Sequence, residues 1–463
     1  MSAIITENFR RNNTSAFIAD LAVNNYYVGL GKSDKWTSDE QARPEVPSPI
    51  GTFLDEREIK SNLISLIGVL SANATKVVPN NKFSISSIYK AYDPLNDNCF
   101  YSSTVTAITS LPCYTTVSGN IFLCLYSPGT RTTIVPTYSS EERKYAPFST
   151  SDGYIWVLLD IIDANSINTV NTDQFISITP NTAADYTSHL ILAAQGGLLY
   201  GFTIIDGGTE YSSTSDTGFT YSYKTSDNTS GSIPVTGIIT SGSITSLTIT
   251  SGFITQNILN VISGTLTLNT ADSTSGSGFK AIAKIAPNFG FAYQPYKILP
   301  SWYAAISVKS EGLISGDGFY IPYRQISVLR NPDTNIPALV SGDTLTSLRA
   351  LPYLTLSGAP SATLVTGDIL TINDKTKILF DYFDSTNYRL YYHQNNISDY
   401  GDTSYNSSKT TIFKNGNPIG ATLQSNTLGE YKADSGDIIF VENRKAISRA
   451  ESQTEEIKII IQF

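Results

Sequence analysis

Tyr, Val, Ile and Thr recur along this chain in runs of about four to eight residues that stop at Gly, Pro, Asn or Ser, and this punctuation restricts the fold more than any other feature. Such runs are too short and too β-branched for helices, so most of the chain is expected to form strands. Only 15% of the 463 residues are charged, so the solvated surface must be built largely from Ser, Thr, Asn, Gly and Tyr, which also favours a mainly β fold. The length allows about two to four domains. Two segments read as helices. Residues 6 to 23 place Phe9, Phe17 and Leu21 on one face. In Asp55 to Leu70, Ile59, Leu63, Leu66 and Leu70 follow helical spacing, with Asp55, Glu56 and Glu58 near the positive end of the dipole.

A second rhythm lies inside the β pattern. Ser-Gly pairs start at 230, 241, 251, 263 and 275, spaced 11, 10, 12 and 12 residues apart, and nothing from Asn228 to Ala271 is charged. Between them lie alternating pieces such as Ser246-Leu247-Thr248-Ile249. A β meander or small repeat sheet with turns at the Ser-Gly pairs fits this spacing, and so does a plain Thr/Ser-rich set of sandwich strands. A strand edge without charge is poorly protected against pairing with another chain, so its edges are expected to be covered by another subunit or domain.

Charge and composition exclude several classes of function. The net charge is −9 and no basic stripe exists, so nucleic acid is not an expected partner. Cys99, Cys113 and Cys124 suit neither a zinc site nor a disulfide framework, and read as free thiols of a protein made in a reducing cytoplasm. Glu7, Arg10 and Arg11 interrupt any signal-peptide core. The apolar run Leu190 to Ile205 is broken by Gln195, Gly196, Gly197 and Thr203, so no membrane span is expected.

The chemical motifs fail on context. Gly31-Lys32-Ser33 resembles the end of a phosphate loop, but Tyr26 stands where the loop's first glycine belongs, and the following residues are polar and proline-broken where a helix is required. His189 and His393 are the only histidines, too few for a multi-histidine metal site or a convincing triad. Asp381, Asp384, Asp399 and Asp402 surround His393 without calcium-loop spacing, and read as solvated turn acids. Glu455 and Glu456 adjoin on a strand and point to opposite faces, which rules out the paired carboxylates of a glycosidase. No catalytic residue, metal or cofactor is expected. Trp36, Trp156 and Trp302 suit either a sugar-stacking surface or interface anchors.

Four strings are more specific: NYYVGLGKSDKW at 25 to 36, SDGYIWVLLDI at 151 to 161, YRQISVLRNP at 323 to 332, and GDIIFVENRKAISRAESQTEEIKIIIQF at 436 to 463. Through them the chain resembles the baseplate wedge subunit of T-even-type contractile-tailed bacteriophages, the product of gene eight. The strings cover about 60 residues in family order. The resemblance implies a layered β-sandwich architecture with few helices, in which a middle domain interrupts one built from the two ends of the chain: 1–85 and 311–463 as the core β domain, 86–310 as the inserted one. It implies a homodimer that contacts other wedge proteins, assembled in the host cytoplasm, carried in the virion tail, and passing on the rearrangement that precedes sheath contraction. It implies no enzymatic activity and no cofactor. The chain departs from the family pattern around 200–285 and around 338–432.

Within these strings the structural or interface candidates are Trp36; Asp152, Gly153 and Trp156; Arg324, Gln325, Asn331 and Pro332; and Glu442, Asn443, Arg444, Gln453, Glu455 and Glu456. Ser151-Asp152-Gly153 signals a turn, and the strand after it is apolar on both faces, so it belongs in a sheet covered on both sides. Asn331-Pro332 ends the strand before it. Arg324 and Arg330 are expected as solvated edge charges. In the last string Ile457, Ile459, Ile461 and Phe463 share one face, the pattern of a strand with one buried side. Two functions fit: a structural subunit of a baseplate wedge, or a glycan-binding or receptor-binding tail module of similar composition.

Overall fold

The computed structural model describes residues 4–37, 46–49, 51–105, 108–138, 145–162, 170–178, 196–214, 216–269, 276–288, 290–292, 294–310, 321–336, 347–372, 376–394, 410–448 and 454–463. The protein is mainly β, with many antiparallel sheets and, among the described residues, four α-helices. The chain divides into two compact units, residues 12–75 with 304–463, and residues 1–11 with 76–303. No described helix is long and apolar enough to cross a membrane.

The unit formed from both ends is centred on a five-stranded antiparallel sheet, in the order Leu348–Arg349, Leu63–Val69, Tyr26–Gly31, Tyr323–Arg330, Asp437–Ile447. One face, with Val28, Leu30, Ile326 and Val328, packs on Ala304, Ile306 and Val308 and on Ile457, Ile459 and Ile461. Those residues belong to a second layer, in which Tyr303–Ser310 neighbours Glu455–Gln462. This is a sandwich, and the C-terminal strand alternates as its sequence predicts, with Ile457, Ile459 and Ile461 buried. The other face of the central sheet is covered by Tyr27, Leu66, Leu329, Leu348 and Tyr431. A closed six-stranded barrel spanning Tyr353 to Thr427 completes the unit, filled by residues such as Leu370, Leu390, Ile412 and Ile419.

Two sequence expectations are corrected in this unit. The helix expected over Asp55 to Leu70 runs only over Phe53–Ser61, started by a capping box between Thr52 and Asp55 and closed at Asn62. Leu63–Val69 is instead a strand buried almost throughout, because Leu-Ile-Ser-Leu-Ile fills a sheet covered on both faces and apolar spacing alone cannot separate that from a helix. In the first helix, Glu7–Asp20, Phe17 is buried, as is Leu21 just beyond it, but Phe9 is 55% exposed and does not join the same core.

In the second unit, Ile155–Ile161 is central to a four-stranded sheet and is covered on both sides as expected: Trp156 and Leu158 enter one core, Val157 and Leu159 another. Three strands of the uncharged segment join Gly218–Thr225, which precedes it, in a four-stranded sheet, in the order Ser243–Ile249, Ser230–Thr240, Gly218–Thr225, Val261–Leu268. The fourth strand returns to lie beside the first, so this is a Greek key and not a meander. Ser241-Gly242 does form a turn, with both residues at positive φ, the geometry of a tight two-residue hairpin. Ser230-Gly231 and Ser263-Gly264 lie inside strands instead. The reason is aromatic: Phe219, Tyr221 and Tyr223 alternate along one face of their strand, and a Cβ on Gly237, Gly264 or Gly231, respectively, would strike those rings. Strand glycines sit there because a neighbouring ring occupies the space a side chain would take. Ser275 lies outside the described residues.

Candidate functional site

The Gly31-Lys32-Ser33 motif lies among buried polar side chains, Lys32 and Ser33 both being buried. Lys32 follows the strand Tyr26–Gly31 in the left-handed region, at φ 57°, and its N–H is held by the Asn62 carbonyl at 2.9 Å. Residues 32–36, directly after the strand, are not helical. Instead of facing outward for a phosphate, the Lys32 ammonium binds Asp34 at 3.0 Å and lies 4.7 Å from the centre of the Trp36 ring. The Trp36 indole N–H donates to the Arg444 carbonyl at 2.8 Å. Arg324 is buried and donates to the Ser33 carbonyl at 2.6 Å.

The partners of Ser33 and Asp34 come from the barrel. Asp381 is the extra residue of a β-bulge between Phe380 and Tyr382, and the bulge re-aims its carboxylate out of the ladder. That carboxylate accepts from the Ser33 hydroxyl and from His393 Nδ1, 2.9 Å from Oδ2, all three residues being buried. His393 Nε2 makes no hydrogen bond and stands 3.9 Å from Asp34 Oδ1. Asp381, His393, Asp34 and Lys32 therefore follow one another in a chain of close contacts. Burial pulls the imidazole pKa down, but the Asp381 and Asp34 carboxylates outweigh it and hold His393 above its ordinary value.

Serine, histidine and aspartate are thus together, but in the wrong order for nucleophilic catalysis. The Ser33 hydroxyl donates to the carboxylate and makes no hydrogen bond to the imidazole, so the histidine is not placed to activate it. The arrangement clamps the loop after the strand Tyr26–Gly31 onto the barrel. A cavity of about 510 Å³ lies alongside, lined by Lys60, Asn335, Tyr392, His393, Tyr431 and Lys432 among others.

The other expected residues form a framework. Gln325 donates to Asn443 at 2.7 Å, and Asn443 in turn to the Pro47 carbonyl at 2.9 Å. Glu442 pairs with Arg444 at 3.0 Å. Asn331, at φ 49°, accepts from the Asn25 N–H at 2.9 Å, and the chain leaves the sheet at Pro332. Glu455 accepts from the Tyr323 hydroxyl at 2.6 Å and Glu456 from Ser307 at 3.2 Å, so the two neighbouring carboxylates serve different strands. In the other unit, Asp152 and Gly153 make the expected turn, Gly153 at φ 90°. Burial raises the Asp152 pKa, but hydrogen bonds from Thr150, Thr132 and the Thr133 and Ile134 amides prevail and bring it down to about 2. Trp156 is fully buried, stacked on Tyr154 at 5.6 Å, and is no sugar platform. Gln453, His189, Asp399 and Asp402 lie outside the described residues.

Three expectations fall here. Arg324 is not a solvated edge charge, because its strand has neighbours on both sides, and Arg330 forks onto Asp20 with a 2.7 Å contact. Asp381 is not a turn acid but 2% exposed, and Asp384 serves a turn, accepting from the Thr386 amide at 2.8 Å, but is buried and not solvated. The signal for Asp381 and His393 was present, since each interrupts or closes an apolar run, Lys377 to Phe383 and Arg389 to His393. A polar residue inside such a run is buried and needs a partner. All three cysteines are free and buried, and burial pushes the Cys113 and Cys124 thiols well above their ordinary range. No group of His, Cys, Asp and Glu able to hold a metal occurs among the described residues.

No protein-family model and no curated protein matches this chain.

Proposed function

We propose that this chain is a non-catalytic structural subunit of a phage tail baseplate wedge, acting as a homodimer that joins neighbouring wedge proteins and transmits the rearrangement preceding sheath contraction. The observation that carries the reading is where the four strings fall. NYYVGLGKSDKW runs from the central sheet into the buried ionic chain, YRQISVLRNP is that sheet's fourth strand, the last string supplies its fifth strand and the C-terminal sandwich strand, and SDGYIWVLLDI is the doubly covered strand of the other unit. The resemblance therefore rests on framework positions in both units. The two departures from the family pattern contain the Greek key and the barrel.

The competing reading, a receptor-binding or glycan-binding tail module, predicts a different failure. Phage carrying a nonsense codon in this gene, grown in a non-suppressing host, should accumulate hubs without assembled wedges, and purified chain added to the extract should restore tails. Complete tails that only fail to attach to cells would overturn the structural reading in favour of the adhesive one.

A further inference from the structure

The second unit contains a groove of about 620 Å³ between two strands that, among the described residues, each lack a neighbour on one side. Among the described residues, Leu199–Asp206 pairs with Lys280–Ile285 alone, and Ser243–Ile249 is the outer strand of the Greek key. At one end the two converge, the Ile244 N–H donating to the Gly207 carbonyl at 2.9 Å. Beyond that point, Gly201 to Ile204 line one wall, Thr245 to Thr250 the other, and Leu125, Tyr200 and Phe253 lie between.

The backbone specifies what the groove takes. Gly237 is opposite Leu247 in the register, yet its N–H donates away from Leu247, to the Thr217 carbonyl at 2.7 Å. Gly237 and Leu247 are thus a non-hydrogen-bonded pair, and in an antiparallel ladder the N–H and C=O of such a residue point outward, here to the open edge. The strand Ser-Ile-Thr-Ser-Leu-Thr-Ile carries no charge and no proline, the devices by which proteins ordinarily blunt an edge. Among the described residues the groove carries one charged pair, Lys284 and Asp93 at 3.8 Å, neutral as a whole.

We propose that this groove is a strand-addition site, in which an extended, uncharged segment of another polypeptide with apolar residues at alternate positions pairs with the edge of Ser243–Ile249. The backbone of the incoming segment meets Leu247, and its inward side chains fill the space over Tyr200 and Phe253. The inference holds independently of the baseplate reading.

The test uses the full chain and a displayed library of random linear dodecapeptides. Enriched peptides should share the alternating apolar pattern, and on binding should protect the amides of residues 243–250 from hydrogen exchange in the wild-type chain. Leu247→Pro removes the outward N–H without taking a ladder bond from Ser230–Thr240, and should weaken those peptides about tenfold. A library that yields no such peptide, peptides that bind without protecting 243–250, or unchanged affinity in a folded Leu247→Pro variant would each overturn the proposal. Protection of 243–250 in the free chain that disappears on dilution would assign the edge to a second copy of the chain and overturn it as well.

Discussion

The central sheet of the unit built from both chain ends and the Greek key of the other unit are both antiparallel, yet their strands are fixed by opposite means. Around the central sheet, charged or titratable groups are taken inside and paired: Lys32 with Asp34, and Asp381 with His393. In the Greek key no residue from Asn228 to Ala271 is charged, and Phe219, Tyr221 and Tyr223 lie over glycines of the neighbouring strands. Buried ion pairs tolerate little displacement, since a stranded charge is costly. Ring-over-glycine contacts and a tight turn set a register through shape, at no cost in desolvated charge, but leave an edge that attracts further strands.

This contrast makes graded predictions. Removing residues 456–463 should have the largest effect, because the three buried isoleucines contribute roughly 5 to 9 kcal/mol at ~1.5 to 3 each, an upper estimate against a typical total of ~5 to 15. The truncated chain should be insoluble, or lose its cooperative melt by far-UV circular dichroism. If it melts like the parent, this strand belongs to a partner's surface and not to the sandwich.

Next comes Asp381→Ala, which leaves a buried imidazole and the Ser33 hydroxyl without their acceptor. Urea denaturation should show a loss of about 3 to 5 kcal/mol. A loss under 1 kcal/mol would mean that the ionic chain does not hold the barrel to the sheet. The counterpart in the Greek key is Gly237→Val, whose side chain must displace the Phe219 ring, with an expected cost of about 1 to 3 kcal/mol. Equal tolerance of Val at 237 and at the exposed Thr265 would remove the aromatic account of register.

The smallest effect separates the two regions by pH. The folded pKa of His393 is raised above its ordinary 6.5, so its contribution is fully present below the unfolded pKa and is lost as pH rises through the folded value. Stability of the parent should therefore decline above about pH 6.5 in this region. His393→Gln should flatten that decline, whereas Gly237→Val should leave its slope unchanged.

How much of this was legible beforehand follows the same division. Period-two patterning showed the C-terminal strand, the Asp152-Gly153 turn and the doubly covered strand around Trp156, because burial there writes directly into the alternation of residues. Helical spacing misread Leu63–Val69, whose apolar run satisfies helix and buried strand alike. The spacing of Ser-Gly pairs misread the glycines at 231 and 264, since the rings that cover them are on other strands. The ionic chain was hidden for a related reason: Ser33 and Asp381 are 348 residues apart, and a bulge that re-aims one carboxylate leaves no local mark. Lys32 and Ser33 drew attention as part of a familiar motif, and what they do is settled by residues the motif does not contain.

A reconstruction of the purified tail tests the central claim most directly. The proposed function predicts density for this chain within the wedges around the hub, in pairs, with both units in contact with neighbouring wedge proteins. Density at the tip of a fibre, or its absence from the baseplate, would contradict it.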